Sequence, residues 1–140
     1  MIDISIPNTV IAIGEDAFRN CDSLTNVVLP DSITTIEEGT FAACDKLASV
    51  VLPKGITTIP TRMFYNTGLK EIVIPDSVTV IGERAFAHCD DLVGVWIPSS
   101  VTKITYHEVF SCSDNVIIYG EMGSCAEKYA NQWKIEFRQK

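Results

Sequence analysis

The chain has 140 residues, 46 % hydrophobic and 21 % charged, the size and balance of one globular domain. Its net charge of −7 comes without a basic stripe, so it offers little to phosphate backbones or anionic membrane surfaces. No apolar run is long enough to cross a bilayer, and Met1–Pro7 lacks the basic-then-apolar order of a secretion signal.

In chain order, Ile2, Ile4 and Ile6 read as the end of a strand whose first half is missing. From there the sequence repeats itself. Pro7, Pro30, Pro53, Pro75 and Pro98 recur at spacings of 23, 23, 22 and 23, and Phe18, Phe41, Phe64, Phe86 and Phe110 at 23, 23, 22 and 24. Ile13, Ile36, Ile59, Ile81 and Ile104 precede each Phe. Cys21, Cys44, Cys89 and Cys112 follow it by three or two residues, with Thr67 in place of a cysteine in the third repeat. Within a unit, Leu24–Leu29 has the L-x-x-L-x-L pattern of a leucine-rich repeat strand, with Leu24, Val27 and Leu29 inward. Leu47, Val50, Leu52; Leu69, Ile72, Ile74; and Leu92, Val95, Ile97 match them. Proline ends the strand because it has no N–H to give a ladder. A second β-branched stretch such as Ile33–Ile36 follows, then a turn at Glu37–Gly39. Thr40–Cys44 is expected to make one turn of helix or 3₁₀ helix with Phe41 inward.

One unit cannot bury its own apolar face, but stacked units can. The Phe and Ile columns are therefore read as core ladders rather than as an aromatic pocket. The third repeat departs from the pattern: Pro60 follows Ile59, and Thr67–Gly68–Leu69 shortens the spacing to the next leucine by one residue. The fifth is irregular at Thr105–His107 and Ser113–Asn115.

The tail changes character. Val116–Tyr119 reads as a last strand and Gly120–Gly123 as a turn. Ser124 and Glu127 form an S-x-x-E capping box that starts a helix running to about Gln132 and burying Ala126, Tyr129 and Ala130. Ile135 and Phe137 alternate in a closing strand. The expected architecture is a right-handed leucine-rich repeat solenoid of about five repeats of 22–24 residues over 1–115. It is β-rich, with short helical turns, and a continuous C-terminal cap spans 116–140. The front has no such cap, so the chain is expected to be the C-terminal piece of a longer solenoid whose open end self-associates.

Leu-Pro-Asp-Ser-Ile-Thr-Thr-Ile at 29–36, Ile-Gly-Glu-Arg-Ala-Phe-Ala-His-Cys at 81–89 and their copies resemble the BspA-like class of leucine-rich repeat proteins, also called the Treponema pallidum type. The resemblance covers roughly residues 4 to 138. It implies the solenoid fold, and a secreted or surface-anchored bacterial protein, some relatives of which adhere to host matrix proteins or cells. It carries no catalytic residues to transfer.

Chemistry-bearing residues are few. No Cys-x-x-Cys knuckle converges on a zinc site, so no metal or other cofactor is expected. The cysteines read as a ladder of buried reduced thiols bonded to loop backbone, with an occasional disulfide as the alternative. Cys125 packs in the cap. His88 beside Cys89 suggests a nucleophile and base, but neighbours on a turn do not face each other. His107 lies in an irregular loop. No nucleophile-elbow, zincin, P-loop or dinucleotide motif occurs, so no catalysis is expected.

What remains is the outward column of the strands: Ser5, Val28, Val51, Val73 and Trp96, with Ile117 as its extension. Lys70 and Glu71 flank it. For the valines, strand preference and binding stay open, whereas Trp96 reads as an anchor. The expectation is a non-catalytic module binding a protein, such as a host extracellular or cell-surface protein, through this face. The alternatives are a spacer that projects another module and an enzyme's accessory domain.

Overall fold

Alternation of inward and outward residues turns each repeat into two short extended segments, and stacking pairs them into two β walls. The computed structural model describes residues 2–105, 107–111 and 113–140, the side chains of Ile2 and His107 excepted. The first wall carries β1 (Ile2–Ile4), β3 (Leu24–Val28), β5 (Ser49–Val51), β7 (Glu71–Val73), β9 (Gly94–Trp96), β11 (Ile117–Gly120) and β12 (Glu136–Gln139). The second carries β2 (Ala12–Ile13), β4 (Thr35–Ile36), β6 (Thr58–Ile59), β8 (Val80–Ile81) and β10 (Lys103–Ile104). Among the described residues every strand pairing is parallel, and equivalent residues pair: Val27 with Val50, Ile72 with Val95, Ile59 with Ile81.

The core between the walls is a set of ladders. Leu24, Val27 and Leu29 and their counterparts in the next three repeats are buried. Phe18, Phe41, Phe64, Phe86 and Phe110 form one column, with ring centroids 5.4, 5.9, 5.5 and 5.3 Å apart and planes within 13° of parallel. Burying a ring of this size contributes roughly 1.5–3 kcal/mol.

The third side of each coil differs from the helical turn expected from sequence. Among the described residues only the fifth repeat forms a 3₁₀ helix, His107–Phe110. The others place two residues four apart in the left-handed region: Asp16 and Asn20, Gly39 and Ala43, Arg62 and Asn66, Arg84 and His88. The reason is where the N–H groups point. Asp16, Phe18 and Asn20 donate to the carbonyls of Glu38, Thr40 and Ala42, each at 2.9 Å, and Gly39, Phe41 and Ala43 donate to Thr61, Met63 and Tyr65 in the same way. A helix would turn these donors along its own axis. The left-handed residues aim alternate donors at the next repeat instead, so the turns too are hydrogen-bonded coil to coil.

Both β walls are interrupted at one level. The sheets are β1-β3-β5 and β7-β9-β11-β12 in the first wall, and β2-β4 and β6-β8-β10 in the second. In the second wall Glu37 N donates to Ile13 O, Gly82 N to Ile59 O and Thr105 N to Ile81 O. Pro60 occupies that position in the third repeat and has no N–H to give. In the first wall Leu29 N donates to Val51 O and Ile74 N to Trp96 O. Among the described residues no counterpart joins Leu52 to Val73. Here the chain is one residue short, and Gly68 lies against the backbone of Asp45. The turn side stays continuous across this seam through the Gly39, Phe41 and Ala43 bonds.

The helix α1 (Cys125–Trp133) closes the far end. Ser124 is its N-cap and accepts from Glu127 N, while the Glu127 carboxylate accepts from Gly123 N. Ala126, Tyr129 and Ala130 are its buried residues, and Tyr129 meets Phe110 edge to face at 6.0 Å. The helix ends at Lys134, a left-handed C-cap, and β12 then pairs with β11.

Candidate binding face and groove

Outward side chains of the first wall fall into two columns. Strand register within each sheet, and the 22-residue repeat step across the break, place Asn26, Ser49, Glu71, Gly94, Ile117 and Glu136 in one, and Val28, Val51, Val73, Trp96, Tyr119 and Arg138 in the other. Val28, Val51 and Val73 are 64 %, 57 % and 62 % exposed. Solvated apolar side chains in a row, rather than scattered, mark this as the candidate face. Lys70 precedes β7 and is exposed, its backbone holding Ala48 O and Val93 N.

The column does not continue through Ile117. Ile117 pairs with Gly94, and the residue beside Trp96 is Tyr119. The signal was the period itself: Val73 to Trp96 is 23 residues, and another 23 reaches Tyr119. The two rings stack with centroids 4.5 Å apart and planes 5° from parallel. The outer edge of the indole rests over Gly94, where an added Cβ would meet indole carbons at 2.8 and 2.9 Å. Gly94 thus leaves the room that holds the Trp96 ring upright against Tyr119.

The seam opens onto the same face. A groove of about 550 Å³ runs between Ser49–Leu52 and Glu71–Val73, with Lys54 and Pro75 toward one end and Trp96 as a wall. Val51, Glu71, Val73 and Trp96 are brought together there, whereas Val28 and Lys70 lie outside it. The aromatic wall follows from the 23-residue step, whereas the groove coincides with the break between β5 and β7, which periodicity alone does not give.

The thiols sit elsewhere. Cys44 Sγ donates to Phe18 O at 2.9 Å and Cys89 Sγ to Phe64 O at 3.0 Å, each reaching back one repeat. Thr67 lies 3.3 Å from Cys89 Sγ and also bonds to Phe64 O. Burial pushes the Cys44 and Cys89 thiols up to about 11. Cys21, Cys44, Cys89 and Cys125 are free. Cys112 lies outside the described residues. In the fifth repeat it is Ser113, three residues after Phe110, whose hydroxyl donates to Phe86 O at 3.3 Å and Cys89 O at 3.0 Å. His88 is exposed against the Tyr65 ring, pointing away from buried Cys89. Among the described residues no group of three or more His, Cys, Asp or Glu could hold a metal, and no helix is long and apolar enough to cross a membrane.

The repeat fold and its ladders match a known family model: the BspA type leucine rich repeat region fits residues 1–116 in six copies. The chain belongs to the BspA-type leucine-rich repeat family. It is similar to a leucine rich cell surface protein from Faecalibacterium prausnitzii, with 36 % identity and a TM-score of 0.83 over 92 % of this chain and 34 % of that one. It is similar to the Treponema pallidum leucine rich repeat protein, at 30 % and 0.74 over 84 % of this chain and 58 % of that one. A leucine-rich repeat protein from Bacteroides ovatus matches at 39 % and 0.75, over 84 % and 30 %. The chain therefore spans from 30 % to 58 % of the length of these proteins. No curated protein matches it significantly.

Proposed function

We propose that this BspA-type repeat stack is a non-catalytic binding module of a bacterial surface protein, and that it holds a protein partner on the face around Trp96. The observation that carries this is the apolar column Val28–Val51–Val73–Trp96, which runs beside an open groove although core packing has no need of it. A spacer needs ladders but neither an exposed valine row nor an aromatic pair. Surface location is supported by the Faecalibacterium relative, which is described as a cell surface protein.

The test is binding of the labelled chain to an array of host matrix and cell-surface proteins. Saturable binding to an array protein should fall about tenfold or more with Trp96→Ala and fall likewise with Val73→Glu. Lys103→Ala on the second wall should leave it unchanged. Equal binding by all four chains, each with the wild-type circular dichroism spectrum, would reject the face.

A further inference from the structure

Given that reading of the strand face, the groove's own chemistry narrows what it holds. One face of the Trp96 indole is covered by Tyr119 on β11. The opposite face turns toward β7 and so looks into the groove. Beside it stands Glu71, in register with Gly94 and two residues before Val73 on the same side of the strand. Glu71 is exposed and has no ion pair among the described residues. The exposed floor next to it is Val51 and Val73.

We propose that the Trp96 end of the groove takes an arginine or lysine side chain carried on an extended segment of a protein partner. Three contacts act on one group. The aliphatic stem lies over Val51 and Val73, the cation stands against the indole face, and its N–H donors meet the Glu71 carboxylate. A wholly apolar occupant would strip water from Glu71 and return nothing to it. An anionic occupant would be repelled by Glu71 and by a chain of net charge −7. Lys54 does not oppose this, because it lies in the turn beyond the end of β5, at the other end of the groove from Glu71. It fixes the segment's direction instead, with the basic residue at the Glu71 end and a neutral or acidic one at the Lys54 end.

The experiment uses the 140-residue chain carrying Trp133→Phe, so that Trp96 is the one tryptophan. The probes are acetyl-Val-Arg-Val-amide and its Gln and Glu counterparts, titrated to millimolar concentration at low salt. The Arg peptide should change Trp96 emission saturably and bind roughly fivefold more tightly than the Gln peptide. The Glu peptide should be weakest. Glu71→Gln should remove most of the Arg preference, and added salt should do the same. If Arg and Gln peptides bind alike, the basic-residue proposal fails while the strand face stands. If no peptide moves Trp96 emission, the proposal also fails. Whether the face fails with it is then read independently, from Trp96→Ala on the protein array.

Discussion

Ala43 sits at φ 57°, where a residue with a Cβ is disfavoured by roughly 1–2 kcal/mol. Glycine largely escapes that cost but gives back about 0.4–1 kcal/mol through a looser unfolded chain. The Ala43 N–H bond to Tyr65 O is made by backbone and survives the exchange. Ala43→Gly should therefore raise stability, by up to about 1 kcal/mol, seen as a higher urea midpoint at unchanged slope. Gly39 is the reverse case: φ is 66° and a methyl group would run into the Asp16 carboxylate, so Gly39→Ala should lower the midpoint. The thiols make a second residue-scale prediction. Cys44 and Cys89 stay protonated to about 11 in the fold, against an ordinary 9.0. The stability they support is complete below pH 9 and falls as pH rises from 9 to 11, because the unfolded chain there binds fewer protons. Cys44→Ser with Cys89→Ser should flatten that fall; an equally steep one would show that other groups govern it. Counting gives the rungs of such ladders directly, and three residues after Phe110 it reaches Ser113. Left-handed positions are harder to see, since Arg84, His88 and Ala43 carry no turn signal in their side chains; the demand comes from the neighbouring coil.

At the scale of strands, the seam between β5 and β7 is the feature that periodicity announces without explaining. Pro60 and the shortened Thr67–Gly68–Leu69 are visible in the sequence as departures. What they do depends on which N–H each would have supplied to the coil before it, and that needs the register of both walls. The face was legible in the same partial way: Val28, Val51, Val73 and Trp96 follow from the strand pattern. Tyr119 needed the 23-residue step carried into the irregular tail, and the groove needed the break itself. Two measurements test the seam. Hydrogen exchange should be faster at the Leu52 amide than at Leu29, Ile74 and Ile97, whose N–H groups bond to the next strand at 2.9–3.0 Å. Equal protection at all four would mean that the wall is continuous. Gly68→Ala should also lower stability, by about 1–3 kcal/mol, because the obstacle is the Asp45 carbonyl, part of the backbone, rather than a side chain that can swing away.

For the whole molecule, nearest-neighbour stacking means that each coil is covered by the coils beside it, and the last rungs of the ladders need a different cover. At the far end α1 covers the last rungs, and β12 presents Glu136 and Arg138, paired at 2.8 Å, along its strand. Charges on an edge strand discourage another strand from adding. Tyr129 is the largest buried side chain of α1 and meets the Phe110 ring that ends the phenylalanine column. Tyr129→Ala should therefore uncover that column and lower the urea midpoint, by roughly 3–5 kcal/mol of stability; an unchanged midpoint would show that the cap does not share the cooperative unfolding of the stack.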